Sequence, residues 1–340
     1  MKKITFLLIL IVAAIKGFAQ NTLVVSLSHG ANITMYYGTS AFANAMGAAD
    51  NGDVICLSDG TFVGVSIDKA VSIRGTGNTR INVDNNSKNI SISSVDDSRF
   101  SAEGIIFSCT GTSSYQVTLN GTSSNQYFIK CKFEKGITYN STSSEGKVKL
   151  VNCDIKSLSL NGLGKAVLVN SLITGFTNAT SASSNAEFFN CMVDGDTKDT
   201  YYRTSFINCI LYFRVRNYNY ESTSLSSDAT AMNCIFVNFG GGNQIDCYKV
   251  GVSEVFASYE NKCVDSRYGG LYADVALSYE LSEEAKTKYV GTDGKEIGMF
   301  GGQYPYNLIP NYPIIKSMNT AKQATVDNKL SVDIEISATE

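Results

Sequence analysis

Seven aromatic and basic residues in the second half of the chain have the types and spacing of a ligand-binding surface. They are Tyr201, Tyr202, Arg203, Arg214, Arg216, Tyr218 and Tyr220. Aromatic rings stack on sugar rings, and guanidinium groups bind carboxylates in a fork geometry. These residues predict a site for an acidic or neutral glycan. The alternative is a Tyr-rich exposed β surface, and the absence of Trp argues against the sugar interpretation.

Three carboxylates fall within one predicted loop, at Asp194, Asp196 and Asp199. Clustered carboxylate oxygens are ligands for Ca²⁺, so a calcium site is one interpretation. The other is an exposed acidic turn. We favour this turn because the cluster is not accompanied by a more extended calcium-binding motif. No other metal or cofactor is expected.

The chain offers no recognisable catalytic set. His29 is the only histidine and precedes the repeats described below, which argues against His-clustered metal sites and Ser-His-Asp chemistry. Asp154 and Asp194 are both predicted to face outward, and neither has an obvious carboxylate partner for glycoside hydrolysis. Catalytic residues therefore stay unassigned, and His29 is expected at a solvent-facing turn.

A short string that ends in Cys or Ser returns every 18 to 25 residues through the middle of the chain. The marker residues are Cys109, Cys131, Cys153, Ser171, Cys191, Cys209 and Cys234. A period of this size is typical of a solenoid, in which one repeat cannot bury its apolar face without its neighbours. The marker row is predicted to point into the core.

Each repeat reads as two β-strands that meet at a corner. Apolar and polar residues alternate after each marker, and two adjacent apolar residues precede it, as in Leu150-Val151. Such a unit is one rung of a parallel β-helix. The Asn before each marker either forms a ladder of side-chain amides or tolerates the left-handed backbone of a turn; the residues are Asn152, Asn170, Asn190, Asn208 and Asn233.

Residues 1–19 have the pattern of a signal peptide, with Lys2-Lys3, a short apolar run and small residues before Gln20. The mature protein is expected in the periplasm, on the cell surface or outside the cell, with no transmembrane segment. A net charge of −3 without a basic stripe argues against nucleic acid as a partner. The cysteines are predicted to be mostly buried free thiols, with Cys247 and Cys263 as the pair most open to a disulfide.

The start of the repeats resembles a known superfamily. A helix from Ser40 to about Ala49, Gly52-Asp53 before a strand, Asp59-Gly60-Thr61-Phe62 and Ile73-Arg74-Gly75 resemble the first coil of pectate-lyase-like right-handed parallel β-helices, as found in exported bacterial proteins. This resemblance implies an all-β, single-stranded right-handed parallel β-helix with an N-terminal capping helix. The superfamily includes lyases, hydrolases, adhesins and proteins without known activity, so the resemblance indicates the fold and leaves the activity open.

The predicted organisation is a β-helix with its cap over residues 20–304 and a strap with a terminal strand, packed on the coil, over residues 305–340. Leu172, Met192, Ile210 and Ile235 are predicted to form an outward apolar stripe. A cover is expected, from Leu308, Ile309, Ile314 and Ile315 of the strap or from a second copy of the chain. Partial inward rotation of the stripe is the third interpretation.

Two functions from different classes fit these patterns. The first is an exported protein that binds an extended polysaccharide or cell-surface glycan, or has a structural role at the surface. The second is a polysaccharide lyase or glycoside hydrolase acting on an acidic polysaccharide. The first leads because no acid–base set is visible.

Overall fold

The structure is a computed structural model and describes most of the chain after residue 22. The described residues are 23–83, 90–94, 99–109, 115–121, 125–178, 183–195, 200–213, 225–237, 241–263, 272–312, 314–320 and 332–337. The predicted signal peptide lies outside them. No helix in the described part is both long enough and apolar enough to cross a membrane.

A hairpin and a short helix close the first coil. Strands β1 (Val24–His29) and β2 (Asn32–Tyr37) pair antiparallel, and β1 also pairs antiparallel with β3 (Val54–Leu57). Helix α1 (Ala41–Ala48) buries Ala41, Phe42, Ala45 and Met46 against the end of the core. The predicted capping helix is therefore confirmed, although the Ser40 side chain makes no capping hydrogen bond.

The remaining strands of the coil form three parallel sheets, because each rung bends twice. The first sheet holds β3, the start of β5 (Ser72–Val83), the start of β7 (Arg99–Cys109), β9 (Asn125–Ile129), β11 (Lys147–Val151), β13 (Lys165–Val169), β16 (Asn185–Phe189), β19 (Thr204–Ile207), β21 (Thr230–Met232) and β23 (Asn243–Ile245). The second holds β4 (Gly60–Val63), the ends of β5 and β7, the starts of β10 (Lys132–Ser141) and β12 (Asp154–Gly162), β14 (Leu172–Ile173), β17 (Met192–Gly195), β20 (Ile210–Phe213), β22 (Ile235–Val237) and β24 (Tyr248–Val250). The third holds β6 (Ile90–Ser94), β8 (Tyr115–Gly121), the ends of β10 and β12, β15 (Phe176–Asn178) and β18 (Thr200–Tyr201).

The registers show that successive rungs stack residue on residue. Leu150, for example, pairs with Phe128 on the rung before and Leu168 on the rung after, and all three are buried. Inward aromatic rings stack in the same way, with the Phe107 and Phe133 ring centroids 4.8 Å apart and nearly parallel. This arrangement confirms the predicted right-handed parallel β-helix.

The corner between the first and second sheets is made by one left-handed residue per rung. Its φ is 45° to 54° at Lys130, Asn152, Asn170, Asn190, Asn208, Asn233 and Asp246. Asn and Asp tolerate this conformation better than most residues, so backbone geometry explains the recurring Asn. The predicted amide ladder is present at one described step only, where Asn233 Nδ2 donates to Asn208 Oδ1 over 3.0 Å. A longer ladder lies on the third sheet, from Asn161 to Asn140 to Asn120.

The marker residues that follow this corner point inward, as predicted, and they also complete its hydrogen bonds. Cys131, Cys153, Ser171, Cys191, Cys209 and Cys234 are all fully buried. Each donates to the carbonyl two residues before it, as Cys209 Sγ does to Ile207 O over 3.3 Å. Cys and Ser interchange here because both carry a donor on a short side chain.

Two cysteine assignments from the sequence are wrong. Lys132 pairs with Ile106, so the residue that stacks on Cys131 is Ile105, and Cys109 lies four positions further along. Tyr248 pairs with Ile235, which places Cys247 in the row directly after Cys234. Cys247 is a free thiol, so the disulfide with Cys263, which the sequence left open, is absent.

The chain then turns back and covers the second sheet. This part contains helices α2 (Val252–Val255) and α3 (Glu283–Lys288) and the antiparallel pair β25 (Tyr259–Cys263) and β26 (Tyr272–Ala276). Strands β27 (Ile314–Thr320) and β28 (Val332–Ser337) form a separate antiparallel pair. The packing of residues 305–340 on the coil as one strap stays a prediction.

The predicted apolar stripe is buried by this returning chain. Met192, Ile210 and Ile235 are at most 1% exposed, and Leu172 packs beside them. Together with the cover they form a second apolar cluster, here called the outer core, which includes Val255, Phe256, Leu281, Ala285, Tyr289, Ile297 and Met299. Residues 252–299 supply most of the cover, and Ile309, which was predicted to contribute, is 53% exposed. The predicted contributions of Ile314 and Ile315 lie outside the side chains that the structure describes. Because the chain covers its own stripe, this stripe does not provide a surface for a second copy.

Residues 290–312, here called the return strap, run back along the corner towards the first coil. Asn233 donates to Val290 O, Asn208 to Thr292 Oγ1, and Asn170 to both Met299 O and Gly301 O. In the amide orientation that satisfies its neighbours, Asn152 donates to Tyr304 O over 3.0 Å. Near the first coil, Pro310 packs on the corner glycines Gly77 and Gly104. Most of these corner side chains therefore form hydrogen bonds to the return strap and not to one another.

Candidate ligand-binding face

The outer surface of the first sheet carries two columns of side chains on successive rungs. Because side chains alternate along a strand, every second residue faces outward. The first column is Arg99, Asn125, Lys147, Lys165 and Asn185, and the second is Ser101, Tyr127, Lys149, Val167 and Glu187. Arg99, Tyr127, Lys147, Lys149 and Lys165 are here called the basic–aromatic patch.

The charges of the basic–aromatic patch are largely uncompensated by neighbouring carboxylates. Lys165 Nζ forms an ion pair with Glu187 at 2.5 Å. Among the described residues, Lys147 and Lys149 have no carboxylate partner. The Arg99 guanidinium lies 4.1 Å from the centre of the Tyr127 ring, in a cation–π contact. The patch can therefore bind an anion beside an aromatic surface.

The residues predicted as ligand-binding do not form one surface in the described part of the chain. Tyr201 is 3% exposed, and its ring stacks on Phe176 inside the coil, so its assignment to a ligand surface is wrong. It is the inward residue of β18, and burial of its large ring stabilises that end of the core. Tyr202 is half-buried, and Arg203 is exposed at a left-handed position. Arg214, Arg216, Tyr218 and Tyr220 lie outside the described residues.

The predicted calcium ligands are only partly described. Asp194 is 4% exposed and accepts a hydrogen bond of 2.5 Å from the Tyr279 hydroxyl, so it is not part of an exposed acidic turn. It lies under the returning chain, at the edge of the outer core. Asp196 and Asp199 are outside the described residues, and calcium binding stays a prediction.

His29 lies beside two carboxylates at the capped end of the coil. Its Nδ1 is 2.9 Å from Asp53 Oδ1 and 3.7 Å from Asp50 Oδ2. Asp53 is buried and its other oxygen accepts from the Asp50 backbone N–H, whereas His29 and Asp50 are exposed. The contact between His29 and Asp53 therefore ties the β1–β2 hairpin to the residue that precedes β3.

The outer face of the second sheet carries a different charged group, on the rungs that precede the outer core. Arg80 forms an ion pair with Glu134 at 2.8 Å, and Lys132 forms one with Asp154 at 2.9 Å. Arg80 lies two rungs before Lys132 and Glu134, and Asp154 lies one rung after them. Each carboxylate is already matched by a cation. This group can hold a polar ligand only by exchanging one of those pairs.

The basic–aromatic patch was not predicted from the sequence, in which the Tyr- and Arg-rich runs further along the chain are more conspicuous. The signal was present in the alternation Lys147-Val148-Lys149-Leu150, which puts two lysines on the outer face of one strand. Stacking Arg99 and Tyr127 on those lysines required the register, which depends on loop lengths that vary from rung to rung.

No family model and no curated protein matches the chain. Among solved structures, it is similar to the crystal structure of pectate lyase Pel9A. The match covers 77% of this chain and 91% of that one, with 12% sequence identity and a TM-score of 0.44. The assignment of the parallel β-helix accordingly rests on the strand registers given above.

Proposed function

We propose that this chain is an exported β-helix protein that binds an acidic polysaccharide, or a cell-surface glycan of the same charge, on its first sheet. The pattern of residues 1–19 supports export. The observation that carries the proposal is the basic–aromatic patch, in which Arg99 lies against the Tyr127 ring and the next rung carries Lys147 and Lys149, two lysines without a carboxylate partner among the described residues.

The spacing of the patch suits an extended chain of sugars. Rungs lie about 4.8 Å apart, which is comparable to the length of one pyranose ring. A polysaccharide that runs along the coil axis would then bring successive carboxylates to Lys147 and Lys165 in one column, or to Lys149 in the other. The Tyr127 ring offers a flat apolar surface for one sugar face.

The alternative function is a polysaccharide lyase or glycoside hydrolase. The observation that favours it is the group of Arg80, Lys132, Glu134 and Asp154, which brings acids and bases together on the second sheet. Its mutual ion pairs argue against a free proton acceptor. If the group is catalytic, product formation from an acidic polysaccharide should depend on Lys132 or Asp154.

Affinity electrophoresis in gels containing polygalacturonate, with a neutral glucan as reference, tests the proposal. The double variant Lys147→Ala/Lys149→Ala should bind the acidic polymer about tenfold more weakly, since two exposed charge contacts contribute about 1.4 kcal/mol together. The matched control Lys156→Ala/Lys286→Ala changes the net charge equally but lies off the first sheet. Equal weakening in both variants, or no binding of the wild type, would contradict the proposal.

A product assay on the same samples separates binding from catalysis. Binding without unsaturated or hydrolysed products supports a binding or structural role. Turnover that is lost in Lys132→Ala, but kept in the Lys147→Ala/Lys149→Ala variant, would favour the enzymatic alternative.

A further inference from the structure

One corner of the coil carries a lysine where the rungs after it carry Asn or Asp. Lys130 has a φ of 53°, a left-handed conformation that Lys adopts at greater cost than Asn or Gly. It is also only 6% exposed, although lysine is rarely buried. Both the left-handed backbone and the burial of Lys130 cost free energy, which points to a role for its amine.

The Lys130 amine is directed at the return strap. Its Nζ lies 2.5 Å from Asn311 Oδ1 and 2.5 Å from the carbonyl of Ile309. Glu103 lies on the neighbouring rung, and its Oε1 accepts a hydrogen bond of 3.2 Å from the Asn311 backbone N–H. Burial lowers the pKa of Lys130, and the negative charge of Glu103 opposes this change. The amine and the carboxamide are therefore in contact, and the carboxylate hydrogen-bonds to the backbone of the same asparagine.

We propose that Lys130 and Asn311 form an intramolecular isopeptide bond, with Glu103 as the proton carrier. The neutral Nζ attacks Asn311 Cγ, and a new C–N bond forms. The bond from Cγ to Nδ2 then breaks. Glu103 takes a proton from Nζ and delivers it to the departing nitrogen, which leaves as ammonia. The products are one amide and one ammonia molecule, and no oxidant or reductant is needed.

Such a bond would tie the return strap covalently to the first rungs of the coil. The hydrogen bonds of the corner already place the strap, so the reacting atoms are held together before any chemistry occurs. A bond between residues 130 and 311 would also close a long loop, which restricts the unfolded chain. The proposal is independent of glycan binding, since it involves none of the basic–aromatic patch.

Mass spectrometry of the purified full-length mature protein tests the bond. The expected result is an intact mass lower than that of the sequence by one ammonia, and a branched peptide that contains both Lys130 and Asn311. Cyclisation of an N-terminal Gln20 also releases ammonia, so the branched peptide decides. Linear peptides containing unmodified Lys130 and Asn311, with no branched form, would overturn the proposal.

Variants assign the roles of the three groups. Lys130→Arg and Glu103→Gln should both lack the branched peptide, and each should regain one ammonia in mass. Lys132→Arg is the matched control, because Lys132 is engaged with Asp154 and its variant should keep the bond. A branched peptide in Glu103→Gln would overturn the role given to Glu103. The wild-type peptide analysis does not depend on whether any variant folds.

Discussion

The two sheets that meet at the left-handed corner are built alike, yet the outer surface of one is buried and that of the other is open. On the second sheet, Met192, Ile210 and Ile235 are covered by the returning chain and become the outer core. On the first sheet, the column beside the corner is also apolar, but Ile207 is half-buried, and Ile245 is 57% exposed. The same repeat therefore supplies a surface for its own chain on one side and leaves the other side open.

The difference arises from where the return strap runs. It follows the corner, bound by the side chains of Asn170, Asn208 and Asn233, and the described residues before it pack on the second sheet. The close approach is visible at Gly298, where an added Cβ would lie 2.5 Å from Ile210 Cδ1. A solenoid can thus bury the outer face of one sheet during folding and leave that of another open.

Unfolding at alkaline pH tests the buried thiols of the coil interior and involves neither outer surface. We expect the largest change in stability from this test. Burial raises the pKa of the Cys131 thiol from 9.0 to about 12, and burial also raises the pKa values of Cys153, Cys209 and Cys234. Below pH 9 these thiols are protonated in both states. Above it the unfolded chain loses protons that the folded chain keeps, so stability should fall as pH rises from 9 towards 12, by about 1.4 kcal/mol per pH unit for each thiol.

Urea unfolding at pH 8, 9.5 and 10.5 measures this loss. The Cys209→Ser variant should show a shallower pH dependence, because serine does not titrate there and still donates to the corner carbonyl. A pH dependence unchanged by the substitution would contradict the thiol explanation, as would rapid labelling of Cys131 by a thiol reagent in the native protein at pH 8.

Paired substitutions across one corner test whether the second sheet alone is a folding surface. Ile210→Ala should lower the free energy of unfolding by about 2–5 kcal/mol, as expected for a fully buried isoleucine. Ile207→Ala, three residues earlier on the first sheet, should cost less than about 1 kcal/mol because its side chain is partly in water. Equal losses would show that the first sheet is covered as well.

Glycine substitutions measure how much the corner side chains stabilise the packing of the return strap, because glycine removes the side chain without backbone strain at positive φ. Asn170→Gly removes two buried hydrogen bonds to the strap and should cost about 1–2 kcal/mol. Asn190→Gly should cost less, since the Asn190 amide nitrogen has no hydrogen-bond partner in the structure. Thermal unfolding of the two variants gives the comparison, and a larger loss for Asn190→Gly would contradict it.

The repeat alone predicted the coil, because the alternation around each marker and the period of the markers follow from local geometry. It also predicted that Leu172, Met192, Ile210 and Ile235 need a cover. It did not predict which residues supply it, since residues 252–299 carry no repeat and their packing depends on tertiary contacts. The Asn row shows the same limit: its backbone role is visible in the sequence, but its partners lie up to 131 residues away.

The candidate site was harder to predict than the fold. Tyr201 has the residue type of a sugar-binding platform, yet its place on β18 turns it inward. Arg99, Tyr127 and Lys149 are far apart in sequence and come together only when rungs of unequal length are stacked in register. The predicted face around Arg214 and Arg216 lies outside the described residues and stays a prediction.

Lysine footprinting in the presence of an acidic polysaccharide distinguishes the two sheets directly. Lysines lie on both, and acetylation followed by peptide mass analysis reports each one. With polygalacturonate bound, Lys147, Lys149 and Lys165 should be protected, while Lys132 and Lys156 on the second sheet should react as in the free protein. Protection of Lys132 and Lys156, with Lys147 and Lys149 unchanged, would contradict the assignment of the first sheet as the ligand-binding face.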